Sequence, residues 1–340
     1  LHVAREASRS AQLVEALAFF APEIEVLEFP AWDCLPYDRV SPVGEVVSRR
    51  IATLARLAEE APRGGRVVVA TVNAALQRVV PRALVAGGGF RAVAGDRISL
   101  DALTAFLQRN GYGRSDTVRE PGEYALRGGI VDIFPPGTAQ PLRLDLFGDT
   151  LEAIRTFDPT TQLSADRLGM FDLLPVSEVL LDAASIERFR TGYRELFGAA
   201  GSSDALYEAI SAGRRFGGYE HWLPLFHERL ETIFDHVPGA VVTLDHQAQE
   251  AVAARLEQID EAHDARAEFA KRKDQDGPAY RPLLPDRLYL AAAEWRKILS
   301  ARATCALAPF AAPPEAADTA DAGGRFGPGF AQARVQGQAG

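Results

Sequence analysis

Lysine is almost missing from this chain. Of the 37 lysines and arginines among its 340 residues, lysine occupies only positions 271, 273 and 297, and none of the three follows a glycine-rich turn. A phosphate-cradling loop of the form G-x-x-x-x-G-K-[ST] needs a lysine there to reach nucleotide phosphates. These residues alone therefore assemble no ATPase site of that kind. Cysteine is equally scarce: Cys34 and Cys305 lie far apart without metal-like spacing, which excludes a disulfide scaffold and suits a reducing compartment. No apolar run reaches transmembrane length and no signal-peptide pattern is found, so a cytoplasmic protein without membrane contact is expected. The net charge is −9, a field that disfavours sequence-independent binding to nucleic acid.

The six histidines supply no metal pattern. His221 and His227 are six apart, which does not bring both onto one helical face as an i, i+4 zinc helix requires. Packing beside Trp222 and Phe226 is their expected fate. His236, His246 and His263 lack a cysteine or paired-carboxylate context. Carboxylate pairs such as Asp33 with Asp38, or Asp145 with Asp149, invite an acid–base reading. However, Asp33 and Asp38 fall in a proline-punctuated loop and Asp149 in a hairpin turn, places where aspartate caps the backbone. No G-x-S-x-G elbow occurs, and neither cysteine has a histidine nearby in sequence. The expectation is a chain that is no enzyme by itself, with no metal and no cofactor of its own.

What the chain does have is a strand-rich stretch from Pro121 to Asp158. Tyr124 to Arg127 and Ile130 to Phe134 flank Gly128-Gly129, the pair that most easily takes the positive φ values of a two-residue hairpin. After Pro135-Pro136-Gly137, Leu142, Leu144 and Leu146 alternate with Arg143, Asp145 and Phe147, and successive strand side chains point to opposite faces. The leucine face must be buried, so the Arg/Asp/Phe face is left over. Gly148-Asp149 turns the chain into a third strand, Leu151 to Phe157.

Around this meander the pattern shifts twice. A length of 340 residues suggests two or three domains, and 47% apolar residues supply a core. Residues 1–89 alternate helical segments (Arg9 to Phe20, Gly44 to Glu59) with short apolar strands (Glu25 to Phe29, Arg66 to Thr71), as βα units of a parallel sheet do. Gly87-Gly88-Gly89 closes that block. Residues 90–175 read as α+β: a strand, the helix Leu100 to Asn110, then the meander. Residues 176–307 are mostly helical, with Ala184 to Phe197, Ser203 to Ala212 and the charged Gln247 to Arg272. Within them Ala240 to Leu244 and Arg287 to Leu290 are apolar runs able to return as strands to the first sheet. Residues 308–340 turn to Ala, Gly, Pro and Gln, the composition of a linker or the start of a further domain. No initiator methionine is present, and LHVAREASRS reads as a clipped strand entering a helix, so a preceding strand and loop are expected.

GEYALRGGIVDIFP, from Gly122, resembles the segment shared by the excision-repair protein UvrB and the N-terminal part of the bacterial transcription-repair coupling factors, the Mfd family. EFPAWDCLPYDRVSP (Glu28 to Pro42), RVVVATVNAALQRVVPR (Arg66 to Arg82) and YRPLLP (Tyr280 to Pro285) favour the coupling factors, and the likeness runs from Leu1 to about Leu307. The fold this implies is α/β: a UvrB-like parallel-sheet domain of degenerate phosphate-loop type, N-terminally clipped, with an inserted antiparallel α+β domain and a helical continuation. Residues 1–89 and 176–307 then correspond to the two parts of UvrB domain 1, and 90–175 to domain 2, the part that docks onto UvrA, the damage-recognition ATPase. UvrB carries a long tyrosine-rich hairpin that inserts between DNA strands, whereas here Tyr37 to Glu45 is a short connection. Direct strand separation is therefore not expected, and Trp32 and Tyr37, able to stack on bases, are expected in the core.

By the same resemblance the residues at the family's UvrA-contact positions are Arg127, Arg143 and Phe147. Arginine and large aromatics are favoured at interface hot spots, with Glu123 and Asp145 available to hold the arginines or to compete for them. Read from the residues alone, the favoured alternative is that Arg143 and Asp145 decorate a solvated face, with Phe147 packed on the domain's own helix, and only the family resemblance reverses that preference. The implied function is recruitment of UvrA in transcription-coupled excision repair. The motor that uses ATP and magnesium, and the contacts to RNA polymerase and duplex DNA, lie elsewhere in the family's full-length proteins. Two alternatives are a UvrB-type DNA-binding helicase fragment and a purely structural α/β module.

Overall fold

Five short strands running parallel form the base of the molecule: β1 (His2–Ala4), β2 (Glu25–Phe29), β3 (Arg66–Thr71), β12 (Val242–Leu244) and β13 (Thr304–Ala306), in the order β13-β12-β1-β3-β2. The computed structural model describes residues 1–87, 89–198, 204–271, 280–310, 319–321 and 323. Residues Leu1–Ala306 make one unit and Leu307–Gly340 a second; the linker expected over 308–340 lies mostly outside the described residues, as do Gly88, Ser203 and Arg272. Helix α1 (Ala7–Phe20) joins β1 to β2, and α2 (Gly44–Ala58) joins β2 to β3. Val47, Ile51 and Leu54 of α2 recur at helical spacing and are buried against the sheet with Val3, Phe29, Val68 and Leu244.

Of the two runs expected to return to this sheet, Val242–Leu244 does so. Arg287–Leu290 does not. Pro285 begins a short helix, Pro285–Leu288, and the residues after it pair with the segment beyond β3, where Leu290 N donates to Leu76 O at 2.8 Å and Arg78 N to Leu288 O at 2.8 Å. The proline fixes φ for a first helical turn, and Thr304–Ala306 takes the edge position instead.

The inserted part is a six-stranded sheet in the order β10-β9-β8-β7-β6-β5. Its strands are β5 (Gly113–Arg114), β6 (Glu123–Arg127), β7 (Ile130–Ile133), β8 (Leu142–Phe147), β9 (Thr150–Phe157) and β10 (Ser164–Leu168), antiparallel except that β5 lies parallel to β6. β4 (Phe90–Val93) pairs separately with β11 (Met170–Leu173). Leu142, Leu144, Val131, Ile133 and Ile154 bury one face against Leu103, Phe106 and Leu107 of the helix Leu100–Arg109. Ser99 caps that helix, its Oγ accepting from Ala102 N at 3.3 Å.

A buried charge pair ties the two sheets together. Glu178, at the exit from the inserted part, accepts from Arg50 Nε of α2 at 3.0 Å and from Trp32 Nε1 at 2.6 Å, and both members of the ion pair are fully buried. Arg50 also donates to Pro30 O at 2.8 Å and lies 4.5 Å from the Phe29 ring centre. The Glu178 carbonyl accepts from His227 Nε2 at 2.8 Å. Close packing adds to the junction: a Cβ on Gly137, which also needs φ +76°, would come within 2.6 Å of Ala52 Cβ on α2. Replacing Glu178 by alanine strands the Arg50 charge in apolar surroundings. Unfolding by guanidinium should then show a loss of about 3–5 kcal/mol; a loss below ~1 kcal/mol would remove the pair from this role.

Beside the junction, Glu220 and His221 are buried in the segment Tyr219–Leu225. Burial pushes the Glu220 carboxyl up to about 7, against the Ser41 Oγ hydrogen bond at 2.7 Å that favours its charge, and burial pushes His221 down to about 4. The folded chain therefore holds a proton on Glu220 that the unfolded chain releases near its ordinary value of 4.5, so this group's contribution falls as pH rises from 4.5 towards 7. His221 acts oppositely, losing stability as pH falls from 6.5 towards 4. Glu220→Gln keeps an acceptor for Ser41 and removes the titration. Its stability relative to the unsubstituted chain should rise between pH 5 and pH 7.5 in urea unfolding, and a difference independent of pH would refute the assignment.

Candidate docking face

Two glycine-containing turns place the tips of adjacent hairpins side by side. Gly128 turns β6 into β7 with φ +61°, and Gly148 turns β8 into β9 with φ +61°. Gly129 is needed for a different reason, close approach: a Cβ there would collide with the Leu146 carbonyl oxygen, while Leu146 N donates to Gly129 O at 2.7 Å. Asp149 in the second turn is paired with Arg97.

Pairing fixes which side chains share a face. Arg127 lies opposite Ile130, Ile130 opposite Asp145, Asp132 opposite Arg143, and Arg143 opposite Arg155. Arg127, Ile130, Asp145, Arg143 and Phe147 thus stand on the face away from the Leu100–Arg109 helix. This face is not wholly left over, as the alternation suggested. Val118, Ala125, Phe134 and Phe157 form a small buried cluster on it.

The three family-matched residues have unlike surroundings. Phe147 is 76% exposed and does not pack on the domain's helix. Arg127 is exposed, its guanidinium bonded to neutral acceptors, the Asp116 carbonyl and the Thr117 hydroxyl. Arg143 is instead held by the protein itself, with its side chain only 15% exposed. Its Nε and Nη2 meet both oxygens of the buried Asp132 at 2.7 and 2.9 Å, and Nη1 donates to Gln162 O at 3.1 Å and Ser164 Oγ at 3.2 Å. The guanidinium also lies 4.6 Å from the Phe157 ring centre. The Asp132 bond raises the Arg143 pKa further, so the charge persists at every working pH.

The two carboxylates available to hold the arginines or to compete for them bond other groups, although Asp145 still acts on Arg143 through its charge. Glu123 caps backbone, accepting from Arg119 N at 2.7 Å and Glu120 N at 3.0 Å, and Asp145 pairs with Arg155 at 3.0 Å. Asp132 and Ile130 were missed. The signal for Asp132 was there: a lone carboxylate between Val131 and Ile133 has to be matched by a cation once its strand is buried.

Several of the other candidate side chains are engaged within the fold. Asp33 Oδ1 accepts from Val43 N at 3.0 Å, and Asp38 Oδ1 from Arg39 N at 2.7 Å. Trp32 and Tyr37 are buried, with His221 edge-on to the first and stacked on the second. His227 and His236 bond backbone carbonyls. Burial and nearby carboxylates push the Cys34 thiol up to about 12, which keeps it from being a thiolate nucleophile. No helix among the described residues is long and apolar enough to cross a membrane.

Residues 91–178, the span of the antiparallel sheet and its helix, match the family model of the UvrB interaction domain. The chain as a whole is similar to transcription-repair-coupling factors: 35% identical over 268 residues to that of Haemophilus influenzae, 32% over 305 residues to that of Escherichia coli, and 34% over 258 residues to that of Myxococcus xanthus. These alignments cover 78%, 87% and 71% of this chain but 22%, 26% and 21% of the relatives, so the chain spans about a quarter of their length. It belongs with the transcription-repair-coupling factors, of which it matches a part that carries the UvrB interaction domain.

Proposed function

We propose that this chain is the UvrA-recruiting region of a transcription-repair-coupling factor in transcription-coupled excision repair. Residues 90–175 are the docking domain, and 1–89 with 176–307 are its base, a cytoplasmic counterpart of UvrB domain 1 whose phosphate loop has degenerated. Other parts of such a protein use ATP and magnesium to move on duplex DNA and displace stalled RNA polymerase. Arg127, Arg143 and Phe147 belong to the docking face. The observation that carries the reading is the coincidence of two features. The UvrB interaction domain match falls on the inserted sheet, and that sheet holds a large aromatic, Phe147, out in solvent at a hairpin tip.

Exposure alone does not mark a contact, since Phe19 and Phe20 are exposed as well; what singles out Phe147 is its place on the sheet that matches the UvrB interaction domain. Titration of the chain against UvrA from the same organism, by calorimetry, should give saturable binding, and Phe147→Ala should weaken it by about 2 kcal/mol or more. A folded wild-type chain that does not bind sinks the proposal. A Phe147→Ala chain that binds as tightly as wild type moves the interface off this face.

A further inference from the structure

We infer that the docking surface has a hot spot at the two hairpin tips, with Ile130 a contact residue beside Phe147 and Arg127, and that Arg143 is a positioning residue held by Asp132. The inference rests on the recruiting reading above and divides its residues by role.

Ile130 is 38% exposed in the middle of a charged row, with Arg127 on one side and Asp145 on the other. Phe147 is two residues beyond Asp145 on β8, which makes Ile130 and Phe147 diagonal neighbours, within reach of each other for an aromatic side chain. Gly128 and Gly129, which continue the hairpin beside Phe147, contribute no side chain, so the ring stands next to bare backbone. The result is an apolar pair flanked by the Arg127 cation and the Asp145–Arg155 ion pair. An apolar centre with a polar rim is the usual layout of a hot spot. The partner it fits is a protein surface with an apolar hollow and a carboxylate placed to replace the Asp116 carbonyl at Arg127.

Arg143 has no such freedom. Four of its five donors are engaged inside the domain, two on a buried carboxylate. Drawing it into a contact would leave Asp132 charged and unpaired in the sheet. What it does instead is join β7, β8 and the turn before β10, which stiffens the strand that ends in Phe147.

Salt dependence separates the two roles, because removing a charge that faces the partner changes it, whereas loosening the framework does not. Binding to UvrA is measured across a salt series for Ile130→Ser, Arg127→Ala, Arg143→Gln and Asp132→Asn, each alongside its thermal melt. Ile130→Ser should melt like wild type and bind more than about tenfold more weakly. Arg127→Ala should flatten the salt dependence. Arg143→Gln and Asp132→Asn should lower the melting point together and weaken binding with the wild-type salt dependence. Wild-type affinity for Ile130→Ser, or a salt dependence flattened by Arg143→Gln as it is by Arg127→Ala, overturns the inference while leaving recruitment intact. Failure of the unsubstituted chain to bind overturns recruitment itself.

Discussion

The Arg50–Glu178 pair is the constraint on which the two-sheet arrangement depends. Taking both charges fully out of water costs several kcal/mol for each ion, a cost that attraction offsets only when the geometry is good and the remaining valences are filled. Here the carboxylate meets an arginine and a tryptophan N–H, and the guanidinium adds a backbone carbonyl and an aromatic face. Two hydrophobic side chains of similar volume would join the same elements without specifying an orientation. The ionic pair favours one, because Glu178 meets both Arg50 Nε and Trp32 Nε1 in a single relative placement of α2, the loop after β2 and the exit from the inserted domain, although Arg50 Nη2 is left without a hydrogen-bond partner.

The hairpin tips stand on a sheet with one face packed on a helix and the other held partly by the Asp132–Arg143 fork and its small apolar cluster. Binding pays for each side chain and loop it must order. A short strand ending in a positive-φ glycine turn, braced from below, leaves Phe147 with little to lose beyond its own rotamers.

Elements governed by local pattern were legible in the sequence. Glu25 to Phe29 and Arg66 to Thr71 appear as strands with the expected ends, and Val242–Leu244 joins the sheet as its apolar run suggested. Arg287 to Leu290 misled because a short apolar run is equally a strand or a buried turn-and-helix, and Pro285 settled it as the latter. The candidate site was legible in its alternation and its turns. Its electrostatic partners were not, because an ion pair across strands depends on register. Arg143 meets Asp132 through a pairing between β7 and β8 that a linear reading of LRLDLF and GIVDIF does not supply, whereas Glu123 and Asp145, close to the arginines along the chain, are directed to backbone and to Arg155.

An arginine counts as a recognition residue only by what it is free to do. Arginine far outnumbers lysine in this chain, and its planar fork suits internal bidentate locks as well as external ones. Arg50 and Arg143 are both internal: one welds the inserted domain to its base, the other welds three strands within it. Arg127, at a hairpin end, is bonded to neutral acceptors and has no ion-pair partner among the described residues. Two arginines sixteen positions apart on one face therefore have opposite physical characters. The difference follows from whether the opposing strand offers a carboxylate, as Asp132 does to Arg143, or an isoleucine, as Ile130 does to Arg127.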